Sequence, residues 1–125
     1  MTNTNQRSNE SAIDFAELLV RVDNDRELLI DLMSIFKEDF PRHVRELSEV
    51  VAARDLKKMT IVSHTLKGML ANLAVTRATS AAAKLEQLGR EGGGESEIDD
   101  AHRAFQLEVQ GLLPEMDAYM AEVQR

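Results

Sequence analysis

The chain has 125 residues, of which 22 are acidic, 15 are basic and 43% are hydrophobic, and its formal net charge is −7. That length and composition fit one domain with a core of its own, the absence of cysteine excludes disulfides and thiolate chemistry, and the negative charge argues against a nucleic-acid partner. No apolar run reaches the roughly 18 residues that a membrane-spanning helix needs, so we expect no membrane segment and a cytoplasmic location.

The first half of the chain predicts a tail, a short helix and a long helix. Residues 1–11 are almost entirely polar and should form a flexible tail, and the apolar cluster at 13–22 has helical spacing. Asn24 and Glu27 predict a capping pair, after which apolar residues recur every three or four positions. Pro41 lies within that pattern and should kink the helix rather than end it. The recurring residues are Leu28, Leu32, Phe36, Phe40, Val44, Leu47 and Val51.

The second half of the chain predicts three further helices. Asp55 can cap the first of them. A stripe of alanine and leucine follows and should end at Gly89 and the glycine run 92–94, which a helix interior would not tolerate. Ser96 should open the last helix, and Pro114 should kink it.

No segment shows the period-two alternation of β-branched and aromatic residues that a strand needs. The sequence therefore predicts an all-α fold, an antiparallel up-and-down four-helix bundle with a short extra N-terminal helix. Residues 1–11 would be the tail and residues 12–123 the bundle domain.

Three histidines are the first candidates for chemistry. His43 and His102 fit half-buried rings with ordinary structural contacts. His64 differs in its direction on the helix that Asp55 begins. If Leu56 is set at zero and each residue turns by about 100°, the inward apolar residues cluster near ~265°, whereas His64 falls at ~80°. His64 should therefore face solvent.

An exposed, neutral imidazole is a good nucleophile near neutral pH and can take a phosphoryl group. Lys67, one turn after His64, would offset the charge of the phosphoryl oxygens. Gly68 costs about 1 kcal/mol of helix stability relative to alanine. That cost favours a site where another protein approaches closely, and close packing between helices is the alternative explanation.

Residues 64–68, His-Thr-Leu-Lys-Gly, followed by Ala-Asn-Leu at 71–73, resemble the H-x-x-K-G signature of histidine-containing phosphotransfer (HPt) domains. The likeness extends from about Phe15 to about Val123. It implies a four-helix bundle in which His64 is the phosphoacceptor and Lys67 and Gly68 are the lysine and glycine of the signature.

The resemblance also implies roles for two residues on the next helix. In HPt domains a polar residue of the neighbouring helix often holds the second imidazole nitrogen, and the matching position here is Glu86. Its carboxylate would accept from Nδ1 and leave Nε2 free to attack. Arg90, one turn later, would lie at the rim of the site. A solvated helix face is the alternative interpretation of both residues.

The function implied is that of a phosphoryl carrier in a two-component phosphorelay, not an enzyme with an ATP site of its own. His64 would accept the phosphoryl group from a receiver-domain aspartate and pass it to another receiver. No cofactor is expected on this chain, because Mg²⁺ belongs to the receiver. The expected partners are response-regulator receiver domains, with a hybrid sensor histidine kinase as a further candidate. They would dock on the His64 face, with apolar contributions from Ile61 and Val75, and the chain itself would be a monomer.

The sequence departs from the HPt pattern at two places. Met and Leu at 69–70 stand where many members have two small residues, and Ala74 replaces a common glycine. These positions mostly face inward on the helical wheel, so they bear on packing more than on phosphoryl transfer.

Other classes fit less well. Thr65 follows the histidine where a sensor-kinase dimerisation helix has an acidic residue, and residues 91–95 lack the lysine of a phosphate-binding loop. No histidine has a glutamate three residues before it, which excludes a di-iron bundle. The remaining alternative is a helical bundle that binds a receiver domain as a scaffold without transferring phosphoryl groups.

Overall fold

A computed structural model describes residues 12–123, and every regular element in that range is an α-helix. The predicted all-α fold is confirmed, whereas the predicted tail at residues 1–11 lies outside the described range. The helices are α1 (Phe15–Arg21), α2 (Arg26–Ala52), α3 (Leu56–Asn72), α4 (Thr76–Glu91), α5 (Glu95–Val109) and α6 (Leu112–Val123).

Helices α2 to α5 form the bundle. Their connections are three residues long, at 53–55, 73–75 and 92–94. Because each helix packs against the next, such short connections force consecutive helices to run antiparallel. Helix α5 also packs back on α2, which closes the bundle.

Helices α1 and α6 both pack on α2, and they contribute Leu18, Leu112 and Met116 to the same core. The rings of Phe15 and Tyr119 stack with their centroids 4.1 Å apart. The Glu115 carboxylate accepts hydrogen bonds from the backbone N–H groups of Ala12 and Ile13, at 3.1 and 2.9 Å. These contacts fix the short N-terminal helix, which the sequence predicted, beside the last helix.

The core is aliphatic, with methionine and phenylalanine filling its centre. Leu28 and Leu32 were predicted to face inward, but they are 42% and 44% exposed, whereas Leu29 and Met33 are buried. The later part of the stripe is correct, since Phe36, Phe40, Leu47 and Val51 are buried. In the first two turns the buried positions lie one residue later, about 100° around the helix, which leaves Leu28 and Leu32 at the edge of the stripe. None of the helices in the described range is long and apolar enough to cross a membrane.

Aspartates cap the first three helices. Asp25 caps α2, where its side chain accepts from the Leu28 N–H, so the predicted capping pair of Asn24 and Glu27 is wrong. Asn24 instead has a positive φ of 63° and belongs to the connection. The predicted cap at Asp55 is confirmed, since its side chain accepts from the Lys58 N–H at 3.1 Å.

The glycine run 92–94 is a loop, as predicted, whereas Gly89 does not end α4. The helix passes through Gly89 and ends before Gly92, which has a left-handed φ of 73°. A Cβ at Gly89 would lie 2.2 Å from Thr60 Oγ1 and 3.1 Å from the Leu56 carbonyl oxygen. Gly89 therefore lets α4 approach the first turns of α3 closely.

The last predicted helix is two helices. The first begins at Glu95, one residue before the predicted start at Ser96, and ends before a turn at 110–111. Pro114 lies in the first turn of α6. A proline is tolerated there because the backbone N–H groups of a first turn have no partner within the helix. Pro114 therefore does not kink a helix; instead, one helix ends before the turn at 110–111 and a new one begins after it.

We predict that Gly89→Ala lowers the free energy of unfolding by about 1–3 kcal/mol, because its methyl group would force α3 and α4 apart. Gly68→Ala is the matched control. No atom lies within 4 Å of a Cβ at Gly68, so that change should stabilise the helix by about 0.5–1 kcal/mol. Urea unfolding measures both variants, and equal stability of the two would contradict the close approach at Gly89.

Candidate functional site

His64 lies in the middle of α3, and its side chain is 65% exposed. Its neighbours on the inner side of the helix, Ser63 and Leu66, are fully buried. The ring therefore stands on the outer face of α3, where another protein can reach it.

Glu86 of α4 lies against the His64 ring. Its side chain is 2% exposed, and Oε2 is 2.8 Å from His64 Nδ1. Ser63 and Glu86 are the polar residues buried in the described part of the chain, and Glu86 is the charged one. A buried carboxylate is costly unless it is paired and hydrogen-bonded, so its partners determine whether it is tolerated.

Two cations complete the set of partners. Lys67 Nζ lies 2.7 Å from Glu86 Oε1, and Arg90 Nη2 lies 2.5 Å from Oε2. Both carboxylate oxygens are therefore used, and the contacts join α3 to α4. We call His64, Lys67, Glu86 and Arg90 the His64 cluster.

The cluster keeps Glu86 ionised. The hydrogen bond from Lys67 lowers the pKa of Glu86 from its ordinary value of 4.5, and the contacts with His64 and Arg90 lower it further, against the effect of burial. Because the pKa of Glu86 is lower in the folded state, the ionised carboxylate stabilises the fold at pH values above the ordinary pKa. This stabilisation is lost as the pH falls through the lowered pKa of the folded state. At neutral pH, Glu86 is thus an acceptor only.

That acceptor fixes the chemistry of the imidazole. Since a carboxylate cannot donate, the neutral ring must carry its proton on Nδ1 to make the 2.8 Å contact. Nε2 then holds a lone pair and is not engaged by Glu86. The arrangement is an exposed nitrogen nucleophile whose opposite side is held by a buried anion.

The surface beside the ring is open. Gly68 is exposed with no atom within 4 Å of a Cβ, so close helix packing does not explain it, and Ile61 is 59% exposed. The expectation that Val75 contributes to this surface is wrong, because Val75 is 1% exposed. Helix α3 ends at Asn72, so Val75 does not continue its wheel and instead precedes α4.

An apolar groove of about 530 Å³ lies between α1, α2 and the C-terminal part of α3. Leu32 and Ile35 of α2 and Met69 of α3 line it, and Ile35 is 56% exposed. Around the α3 helix axis, Gly68 and Ile61 lie between His64 and Met69. The groove at Met69 therefore adjoins the exposed surface of α3 that carries His64. The groove is not evident from the sequence, because helical periodicity places Leu32 in the core.

The other histidines lie elsewhere. His102 is half-buried with Nε2 3.3 Å from Ser48 Oγ, and burial lowers its pKa. His43 Nδ1 is 3.7 Å from a carboxylate oxygen of Glu46 on the same helix. Within residues 12–123, no three His, Cys, Asp or Glu side chains are grouped so as to hold a metal ion.

Comparison with known families gives one match. The sequence model of the Hpt domain matches residues 31–125, which includes α3, α4 and the whole His64 cluster. The chain therefore belongs to the Hpt domain family. Domains of this family are phosphoryl carriers of phosphorelays, not kinases. Searches of curated proteins and of solved structures found no match.

Proposed function

We propose that this chain is a histidine phosphotransfer protein of a two-component phosphorelay, with residues 12–123 as its transfer domain. It accepts a phosphoryl group on His64 from a receiver-domain aspartate and passes it to another receiver. The observation that carries the proposal is the 2.8 Å contact of Glu86 with Nδ1, which directs the lone pair to the exposed Nε2.

The transfer step follows from that geometry. The Nε2 lone pair of His64 attacks the phosphorus of the aspartyl phosphate, and an N–P bond forms as the P–O bond to the aspartyl group breaks. The bonding electrons leave on the aspartate carboxylate. The Nδ1 proton stays between the ring and Glu86. Transfer to the second receiver is the same step in reverse.

The other residues assist without reacting. Lys67 offsets the charge of the phosphoryl oxygens, and Gly68 lets the receiver come close to the ring. The receiver supplies Mg²⁺ and most of the stabilisation of the transition state, so the carrier contributes position and a nucleophile. It has no ATP site and acts as a monomer in the cytoplasm.

The receiver docks on the exposed face of α3 and on the groove beside it. Ile61 and Ile35 are 59% and 56% exposed, and Leu32 adds apolar surface. Such a patch suits the modest interface of a transient complex. A hybrid sensor kinase can present its receiver to the same face.

The first test is phosphotransfer from a phosphorylated receiver to the wild-type protein and to His64→Gln. The wild type should gain acid-labile, alkali-stable phosphate, and His64→Gln should gain none. His43→Gln is the matched control, because it removes another imidazole and should leave the label unchanged. Receiver binding without label on the wild type would contradict the proposal and favour a scaffold.

The docking surface is tested by Ile61→Glu. A charge at the centre of the patch should weaken receiver binding about tenfold or more, since it must be desolvated in the complex. Ala104→Glu on α5 is the matched control, because Ala104 is exposed and α5 packs on α4 and α2. Calorimetric titration measures both affinities, and an equal loss in the two variants would refute this placement.

A further inference from the structure

Among the described residues, two cations lie beside the proposed phosphoacceptor, and both are paired with the same carboxylate. Lys67 and Arg90 both contact the carboxylate of Glu86, at 2.7 and 2.5 Å, and neither contact involves Nε2 of His64. In the unphosphorylated protein, therefore, the Glu86 carboxylate pairs with the two cationic head groups that could otherwise bind a phosphoryl group.

Phosphorylation changes the balance of charge around these side chains. Before transfer, Glu86 carries one negative charge and Lys67 and Arg90 carry two positive charges. A phosphoryl group adds about −1.5 to −2 charge and three acceptor oxygens. Because Nε2 and Nδ1 belong to one small ring, the phosphoryl oxygens come within a few ångströms of the cations that Glu86 holds.

The two cations can respond because their head groups are accessible. The Lys67 side chain is 33% exposed and the Arg90 side chain is 62% exposed, whereas Glu86 is buried. The cations lie on the solvent side of the carboxylate, and both side chains are long and flexible. Rotation about their side-chain bonds can therefore carry both head groups from Glu86 towards the exposed side of the ring.

We propose that Lys67 and Arg90 exchange partners during transfer, moving from the Glu86 carboxylate to the phosphoryl oxygens on His64. This inference rests on the proposed function. Glu86 then competes with the phosphoryl group for the same cations, so it is the positioning residue that sets how strongly the protein retains phosphate. An amide at position 86 would still accept from Nδ1 but would hold the cations far less strongly.

A double-mutant cycle tests the exchange. The transfer equilibrium between receiver and His64 is measured for the wild type, Lys67→Met, Glu86→Gln and the double variant. In the wild type, Lys67 must break its ion pair with Glu86 to bind the phosphoryl group, and this offsets part of its stabilisation of phosphohistidine. Lys67→Met should therefore lower the phosphohistidine fraction only modestly. In the Glu86→Gln background, Lys67→Met should lower the transfer equilibrium constant by a factor about five- to tenfold larger than in the wild type. A coupling of that size is within the range for residues in direct contact.

The cycle separates this coupling from other effects of Glu86. Any influence of Glu86→Gln on the ring proton is the same with Lys67 and with Met at position 67, so it cancels when the two Lys67→Met effects are compared. Glu91→Gln is the matched control, because Glu91 lies on the same helix and is exposed, and its carboxylate accepts from Gln87. It should show no coupling with Lys67. Effects of Lys67→Met that agree within twofold between the wild-type and Glu86→Gln backgrounds would overturn the exchange.

A second measurement needs no variant, and decides the question if Glu86→Gln does not fold. The wild type is phosphorylated with phosphoramidate, and the ¹³C signal of the Glu86 carboxyl is compared before and after. Exchange predicts a clear shift at Glu86 and none at Glu91, and an unchanged Glu86 signal overturns it. If neither a phosphorylated receiver nor phosphoramidate forms phosphohistidine, the proposed function fails; if His64 is labelled without coupling or shift, only the exchange fails.

Discussion

The site depends on the interactions of one buried group, the carboxylate of Glu86. A charge that is 2% exposed between two helices is tolerated only with partners, and here an imidazole, an ammonium and a guanidinium use both of its oxygens. One side chain thus does three things: it joins α3 to α4, sets the direction of the His64 ring and holds the nearby positive charge. Removing it would leave two unpaired cations and a ring without orientation.

The bundle makes that contact possible through a close approach of α3 and α4. Gly89 lies about one turn after Glu86, and it faces Thr60, which lies one turn before His64. A side chain at Gly89 would separate the helices beside the cluster. The three-residue connection at 73–75 sets the alignment of the two helices along their length. A glycine that the sequence suggested as a helix end therefore has its effect at the functional site.

Helical periodicity predicted what depends on one helix and missed what depends on two. The contact between Glu86 and His64 joins two helices, and it was expected only from the resemblance to HPt domains. The direction of His64 follows from the phase of α3 alone, and the cap at Asp55 follows from local hydrogen bonding. Leu32 was misplaced because its exposure depends on how α2 is rotated against α3. Likewise, nothing in the sequence indicated that Lys67, whose predicted role is towards phosphoryl oxygens, pairs with Glu86 across the helix interface in the unphosphorylated protein. Helical periodicity carries no information about such rotations, so the pairing appears only in the folded structure.

The central claim is that Glu86 directs the His64 lone pair to Nε2, and the tautomer of the ring tests it most directly. ¹⁵N NMR of the unphosphorylated protein, at a pH where the ring is neutral, distinguishes the two nitrogens. We expect Nδ1 to carry the proton and Nε2 to show the signal of an unprotonated nitrogen. A neutral ring that carries its proton on Nε2 would contradict the account, because Glu86 could then accept no hydrogen bond from the ring and the exposed nitrogen would not be a nucleophile.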